Sequence, residues 1–280
     1  MRRGFRMYLP VSLAGAWLLA SGVAAVSAAQ EIKVPASVTA GDESAISTTG
    51  SGTATFYLVG PGVSRKSEVN LGQEIPLRAQ DVRNAGDYTA IVCSGTCQSA
   101  VFYVSAAKPS SLAFLVHPSR VPVSQPDAVS GVAFPFDQFR NLVLAPQTIN
   151  FQLTAGNSAL LSREVRSQDG VAWFRTTSGK SAGLLQVNAG LEGATAKRAV
   201  QQVASDPCNL RITGQRTPAG IVVQTEPVHD CAGNPVPDGT IVTFTAAEAN
   251  GKSSVDAPIK KGVARAQMAA SGAVLVSAAS

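Results

Sequence analysis

Apolar and polar residues alternate along most of the chain, which is the pattern of β-strands with one buried and one solvated face. In residues 149–154 the apolar Ile149, Phe151 and Leu153 alternate with polar neighbours, and residues 242–246 repeat this alternation. After the N-terminal leader, no long stretch shows the clean period of an amphipathic helix. The pattern therefore predicts an all-β chain.

An internal repeat organises the second half of the chain. Residues 137–151 and 230–244 align without a gap, so that Asp137 corresponds to Asp230 and Asn141 to Asn234. Further matches follow downstream with small changes in spacing. Insertions collect in loops, because one extra residue in a strand turns its side chains to the other face. The repeat predicts small domains used more than once rather than one large enzyme fold.

The N-terminus has the pattern of a secretory signal peptide. Arg2, Arg3 and Arg6 precede an apolar run from residue 7 to about residue 25, and small residues close it at 26–29. A membrane-spanning helix is the alternative, although proline, glycine and serine interrupt the run. We predict a signal peptide over residues 1–29, export to the periplasm, cell surface or exterior, and no transmembrane segment in the remainder.

Residues 30–107 carry a signature of their own. The run Asn84-Ala85-Gly86-Asp87-Tyr88 resembles the Asp-x-Gly-x-Tyr-x-Cys run of immunoglobulin strand F, where the tyrosine hydroxyl bonds to nearby backbone. Ala90 stands at the place of the cysteine, and the usual strand-C tryptophan is missing. The resemblance implies a divergent immunoglobulin-like (Ig-like) β-sandwich, with an ordinary tyrosine beside a turn as the alternative.

Residues 108–205 and 206–280 form the two repeated units. The run from Asp230 to Phe244, Asp-x-x-Gly-Asn-Pro-Val followed by a Val-x-Phe strand, resembles the bacterial Ig-like domain of the invasin/intimin group. The second unit has Arg140 where the third has Gly233, which leaves its turn geometry open. The resemblance implies tandem Ig-like β-sandwiches used as a rigid extracellular spacer or adhesive stalk. That family's outer-membrane barrel and lectin-like module are not in the sequence, so receptor binding is not carried over.

The third unit is expected to lack its last strand. In the second unit a strand-like segment at 194–203 follows the strand at 184–189, and the counterpart in the third unit would lie beyond Ser280. An open edge at residues 273–278 would then invite strand addition from a partner or a second copy. A truncated gene model or a tolerated gap would look identical in sequence.

Four cysteines in an exported chain should be oxidised. Cys93 and Cys97 flank a predicted hairpin tip, and Cys208 and Cys231 lie just outside the ends of a predicted antiparallel hairpin. These two local pairings are expected because bridged Cα atoms must lie within about 7 Å. A redox or metal role for Cys93 and Cys97 lacks a neighbouring histidine or a second cysteine pair.

Catalytic motifs are missing from the sequence. The two histidines, His117 and His229, do not occupy matching repeat positions, and no nucleophile elbow, His-Glu-x-x-His or phosphate-binding loop occurs. We predict no enzyme and no cofactor. Four side chains could suggest calcium, although such residues in turns more often bond their own backbone, so no metal is predicted. They are Asp137, Asp230, Asn234 and Asp238.

Charge and aromatic residues bear on partners. The formal net charge of +5 includes the arginines of the leader, so the remaining chain is nearly neutral and nucleic-acid binding is not expected. Trp173 and Phe174 are neighbours in a predicted strand, so one should face the core and the other solvent, where it is a candidate ligand contact. The alternative is that both residues only pack against a sheet or a neighbouring domain.

The sequence predicts a non-catalytic protein with a structural or adhesive role at a surface. The alternative prediction is a carbohydrate- or protein-binding accessory module. The expected partner is a protein or a surface glycan.

Overall fold

The structure, a computed structural model, describes residues 31–280. The predicted signal peptide lies outside the described residues. Between residues 31 and 280 the chain forms strands joined by turns and one 3₁₀ turn at Ala79–Val82, which confirms the all-β prediction. This part of the chain contains no helix long and apolar enough to cross a membrane.

The strands fall into three consecutive groups. The first domain contains β1 (Ile32–Lys33), β2 (Val38–Thr39), β3 (Ser44–Thr48), β4 (Thr53–Gly60), β5 (Val63–Asn70), β6 (Glu74–Leu77), β7 (Gly86–Ser94) and β8 (Thr96–Ser105). The second contains β9 (Pro109–His117), β10 (Arg120–Pro122), β11 (Val129–Asp137), β12 (Thr148–Ala155), β13 (Ser158–Arg166), β14 (Ala172–Thr176), β15 (Gly183–Leu191) and β16 (Ala194–Val203). The third contains β17 (Ile212–Thr217), β18 (Gly220–Thr225), β19 (Ile241–Glu248), β20 (Gly251–Pro258), β21 (Arg265–Met268) and β22 (Leu275–Ala279).

Each domain is a sandwich of two sheets with its own hydrophobic core. The first pairs β1-β3-β6 with β2-β8-β7-β4-β5, and the second pairs β9-β11-β14 with β10-β16-β15-β12-β13. The short strands β2 and β10 run parallel to β8 and β16, and the other named strand pairs are antiparallel. The architecture is a tandem row of Ig-like sandwiches, while the exact domain bounds stay predictions.

The alternating residues seen in the sequence supply these cores. In the second domain Ile149, Phe151 and Leu153 are buried. The ring centroid of Phe151 lies 5.9 Å from that of Phe114 and 4.8 Å from that of Phe174, so both sheets contribute to one aromatic cluster. Burial of such side chains stabilises the fold by about 1.5–3 kcal/mol each.

The first domain has the tyrosine corner that the sequence indicates. Tyr88 is buried, and its hydroxyl donates a hydrogen bond to the carbonyl oxygen of Asn84 at 2.8 Å. Burial raises the pKa of Tyr88, so the hydroxyl stays protonated and keeps donating. The corner fixes the loop 83–86, which precedes β7.

The four cysteines form two disulfides. Cys93 and Cys97 lie opposite each other at the β7–β8 tip, with Cα atoms 4.1 Å apart. Cys208 is joined to Cys231 across a Cα separation of 5.0 Å. Both pairs are the local ones expected from the sequence.

The third domain has smaller sheets, β17-β18-β21 and β20-β19-β22. A turn at residues 218–219 joins β17 directly to β18, whereas β10 lies between β9 and β11 in the second domain. Within residues 31–280, β22 pairs only with β19 and is therefore a sheet edge. Val274, Val276 and Ala278, which face the core of this domain, are half-buried, whereas Val187, which matches Val276 in the repeat, is fully buried on β15. That this domain lacks a strand stays a prediction.

Joining a copy of residues 190–204 to Ser280 is expected to raise the melting temperature of the third domain. Covering Val274, Val276 and Ala278 should stabilise this domain by about 1–2 kcal/mol, because their half-exposed apolar area leaves water. For a domain of this size that equals a rise of about 5–15 °C, measured by differential scanning calorimetry, with less self-association. The control extension carries Val200→Asp, which places a charge where the strand faces the core. If both extended proteins and the parent chain melt at the same temperature, the prediction that the third domain lacks a strand is wrong.

Candidate functional site

A buried carboxylate organises the turn that follows β11. Asp137 is 1% exposed, and its Oδ1 accepts hydrogen bonds from the backbone N–H groups of Phe139 and Asn141, both at 2.8 Å. Its Oδ2 accepts from the backbone N–H of Ala107 at 2.9 Å and from Nδ2 of Asn141 at 2.8 Å. Ala107 lies between the first two domains, so one carboxylate ties the turn to the linker.

The side chain of Asn141 then crosses to the first domain. Its Nδ2 donates to the carbonyl oxygen of Arg83 at 2.8 Å, and its Oδ1 accepts from the backbone N–H of Ala85 at 2.9 Å. Both partners belong to the loop 83–86 that Tyr88 supports. With the bond to Asp137, both Nδ2 hydrogens and the amide oxygen are satisfied, which fixes the orientation of the amide group.

The same arrangement recurs between the second and third domains. Asp230 is 4% exposed and accepts from the backbone N–H groups of Ser205, Ala232 and Asn234 at 2.8–3.0 Å. Nδ2 of Asn234 donates to Asp230 and to the carbonyl oxygen of Lys180. Its Oδ1 accepts from the backbone N–H of residue 182 at 2.8 Å.

The two loops that receive these asparagines also match. Residues 83–86 precede β7 and residues 180–183 precede β15, and each offers a carbonyl oxygen and, two residues later, the N–H of an alanine. In the third domain Ser271 lies in the corresponding loop before β22. Its N–H donates instead to Oε1 of Glu248 at 2.9 Å. Each joint thus consists of an Asp-x-x-x-Asn turn on one domain and a loop on the preceding one.

The turn geometry left open by the sequence is the same in both joints. Arg140 adopts a φ of 68° and Gly233 a φ of 85°, both in the left-handed region. A non-glycine residue costs about 1–2 kcal/mol there, and the hydrogen bonds around Asp137 hold the turn against that cost. Arg140 therefore changes the energy of the turn and not its shape.

An aromatic contact distinguishes the first joint from the second. Phe139 packs against the core of the first domain, and its ring lies so close to Gly41 that a side chain at that position would clash with it. The guanidinium carbon of Arg83 lies 5.2 Å from the ring centroid. The repeat places Ala232 at the matching position of the second joint. The first joint therefore combines an asparagine bridge with a packed ring, whereas the second has the bridge without a ring at this position.

The electrostatics of both carboxylates follow from these bonds. Burial alone would raise the pKa of Asp137, but hydrogen bonds from Asn141, Ala107 and Phe139 outweigh it and hold the pKa below its usual value. Burial also acts to raise the pKa of Asp230, but hydrogen bonds from Asn234, Ser205 and Ala232 outweigh it and hold this pKa below its usual value. Both groups are therefore ionised at neutral pH.

The residues considered for calcium bond backbone instead. The oxygens of Asp137 and Asp230 face N–H donors, and Asp238 accepts from the N–H groups of Lys261 and Gly262. A cation site needs carboxylate oxygens that are free to coordinate the ion, whereas these oxygens accept hydrogen bonds from N–H groups. Among residues 31–280, no group of three or more His, Cys, Asp or Glu residues is placed to hold a metal.

The neighbouring aromatics face opposite sides of their sheet. Trp173 is 64% exposed, whereas Phe174 is 1% exposed and packs on Phe151. The expected alternation is confirmed. Phe174 is a core residue, and its burial removes it as a candidate ligand contact; Trp173 remains one.

Sequence reasoning missed Asn141 and the receiving loops. The matches of Asp137 with Asp230 and of Asn141 with Asn234 indicate a repeat, and they do not by themselves assign these residues to contacts between domains. The signal that could have found the joints is the gap-free spacing from the aspartate to the asparagine in both copies, in segments where the residues between them differ.

Comparison with known proteins supports the fold. No protein-family model matches the sequence. No curated protein matches it either. Among solved structures, FdeC, described as an Escherichia coli adhesin, has a TM-score of 0.63 at 17% identity, covering 90% of this chain and 92% of FdeC. The fold is shared with an adhesin. At this identity the likeness establishes the fold and leaves membership of the invasin/intimin group a prediction.

Two further structures show weaker likeness. InvD of Yersinia pseudotuberculosis has a TM-score of 0.47 at 14% identity, covering 88% of this chain and 84% of InvD. Invasin, described as a bacterial integrin-binding protein, has a TM-score of 0.45 at 12% identity, covering 89% of this chain and 56% of invasin.

Proposed function

We propose that this chain is a non-catalytic exported protein whose Ig-like domains form a rigid spacer with a structural or adhesive role at a cell surface. The observation that carries the proposal is the repeated joint, in which Asp137 and Asp230 hold the turns and Asn141 and Asn234 bridge to the preceding domain. Tandem domains joined only by linkers move relative to each other by default. The same side-chain bridge occurs in both joints, which indicates that the function of the molecule depends on a fixed domain orientation.

Two other observations support export and surface use. The disulfides Cys93–Cys97 and Cys208–Cys231 are typical of oxidising compartments, which agrees with the signal-peptide pattern at the N-terminus. The fold is shared with an adhesin, FdeC, over nearly the whole chain. A spacer that holds a binding surface away from the cell is consistent with both.

Replacing Asn234 with alanine is expected to loosen the second joint. The change removes two hydrogen bonds between domains, each stabilising by about 1 kcal/mol, and no packed ring compensates at Ala232. Asn141→Ala should loosen the first joint less, because Phe139 still packs on the first domain. Spin labels on adjacent domains, read by pulsed electron resonance, should show a broader distance distribution in Asn234→Ala than in Asn141→Ala.

The control is Asn157→Ala, which removes an exposed asparagine from the β12–β13 turn. It should leave the distance distributions of the parent protein unchanged. If Asn234→Ala also leaves them narrow, the joints do not set the domain orientation and the rigid-spacer function is wrong.

A second candidate function, a binding module for carbohydrate or protein, is favoured by the exposure of Trp173. Large aromatic side chains are enriched at interfaces, where they add much contact area at small entropic cost. This function is compatible with a spacer, since a rigid row of domains can display a binding face.

A further inference from the structure

Trp173 belongs to a row of apolar side chains on the outer face of the sheet β9-β11-β14. Val132 on the central strand lies opposite Leu115 of β9 on one side and opposite Trp173 of β14 on the other. Leu115 is 60% exposed and Trp173 is 64% exposed. Neighbouring strands are about 4.8 Å apart, so this apolar row extends about 10 Å across the sheet.

The corresponding sheets of the other domains show that the fold does not require an apolar row. One outward row in each of them is polar throughout, namely Thr213, Gln224 and Arg265 in the third domain and Lys33, Ser47 and Glu74 in the first. Trp173 and Arg265 occupy the same place in the repeat. An exposed tryptophan at this place is therefore not required for the sandwich to fold.

A polar row lies directly beside the apolar one. His117, Ser130 and Arg175 are aligned across the same three strands, two residues further along, which is about 7 Å away. The apolar row, together with His117 and Ser130, lines a shallow depression of about 370 Å³. Neither row contains an acidic residue, so Arg175 gives this face a positive charge.

The size and charge of the face restrict its occupant. A stable interface with a second copy buries about 800 Å² on each partner, and an aromatic side chain supplies only about 150–250 Å². Three apolar side chains therefore fall short of such an interface. A flat apolar platform beside hydrogen-bonding groups suits a sugar ring, whose apolar face can lie on the indole while its hydroxyls bond to Ser130 and His117.

We propose that this face of the second domain binds an acidic saccharide, with Trp173 as the stacking platform and Arg175 as the partner of the carboxylate. A guanidinium group binds carboxylates through two parallel hydrogen bonds, which selects an acidic sugar over a neutral one. The proposal names the ligand class of the second candidate function. It does not depend on the joints, so its failure would leave the spacer function standing.

The test is a fluorescence titration of the chain from residue 31 to 280, in which Trp173 is the single tryptophan because the other is Trp17. The probes are sialyllactose, a glucuronate-containing disaccharide, and lactose as the neutral counterpart. We expect at least one acidic saccharide to change the emission saturably and lactose to bind more weakly. Arg175→Gln, which introduces the residue that the third domain has at this place, should weaken acidic binding by about tenfold or more.

Matched variants assign the site. Arg198→Gln removes the same charge from β16, which belongs to the other sheet, and should leave binding unchanged. Leu115→Thr, again the residue of the third domain, should weaken it several-fold while the protein keeps its melting temperature. Equal binding of lactose, an unchanged affinity in Arg175→Gln, or no saturable signal with either acidic saccharide would overturn the proposal. Self-association of the protein that Trp173→Arg abolishes would assign this face to a second copy and would also overturn it.

Discussion

Replacing Asp137 with alanine is expected to lower the free energy of unfolding of the second domain by about 3 kcal/mol or more. The carboxylate accepts four hydrogen bonds, and its removal leaves the N–H groups of Ala107, Phe139 and Asn141 without their acceptor. Urea unfolding followed by the fluorescence of Trp173 measures the loss within this domain. Glu164→Ala, which removes an exposed carboxylate from β13, is the control and should change the stability little.

The same carboxylate predicts how that loss depends on pH. The pKa of Asp137 is lowered in the folded protein, because its hydrogen bonds outweigh burial. Its stabilisation is therefore complete above the ordinary aspartate pKa of about 3.9 and is lost as the pH falls through the lower folded value. The stability difference between the parent protein and Asp137→Ala should shrink on acidification. A constant difference from neutral pH to well below the ordinary pKa would contradict this account of the turn.

Removing the disulfide Cys208–Cys231 by double alanine substitution is expected to destabilise the third domain by about 3 kcal/mol. The bridge closes a loop over a sequence separation of 23, against 4 for Cys93–Cys97. The unfolded chain gains more freedom when the longer loop opens, and Cys231 also lies in the turn that Asp230 holds. For a domain of this size the loss equals a fall in melting temperature of more than about 10 °C, measured by calorimetry.

The comparison is the corresponding removal of Cys93–Cys97, which should lower the melting temperature of the first domain clearly less. Equal losses for the two disulfides would show that loop length does not set their contributions. A third domain that melts unchanged without its bridge would show that its small sheets suffice on their own.

The strands were predictable because a buried sheet face leaves its period in the sequence. Ile149, Phe151 and Leu153 show it, and they fill the core as expected. Alternation also predicted that Trp173 and Phe174 face opposite sides. It could not say which residue is exposed, because that depends on the register of β14 against β11, and both residues are apolar.

The loop that receives each asparagine was not predictable, because it is far from the asparagine in sequence and contributes only backbone groups. Asn141 bonds to the backbone carbonyl of Arg83 and the backbone N–H of Ala85, which every residue type except proline possesses, so composition carries no trace of the receiving loop. The conformation of Arg140 was also hidden, since the left-handed region favours glycine and only the surrounding bonds place an arginine there. The resemblance of the turn to a known family supported a domain type and gave no information on contacts between domains.

The difference between Phe139 and Ala232 has a mechanical consequence. When such a row is pulled from its ends, the load at each joint divides between the linker and the asparagine bridge. The first joint carries an additional packed ring, so the second is the more compliant one and yields earlier as tension rises. Its bridge can re-form when the tension falls, because the aspartate that orients the asparagine belongs to the same turn and travels with it. We therefore expect a chain of this kind to extend first at its second joint.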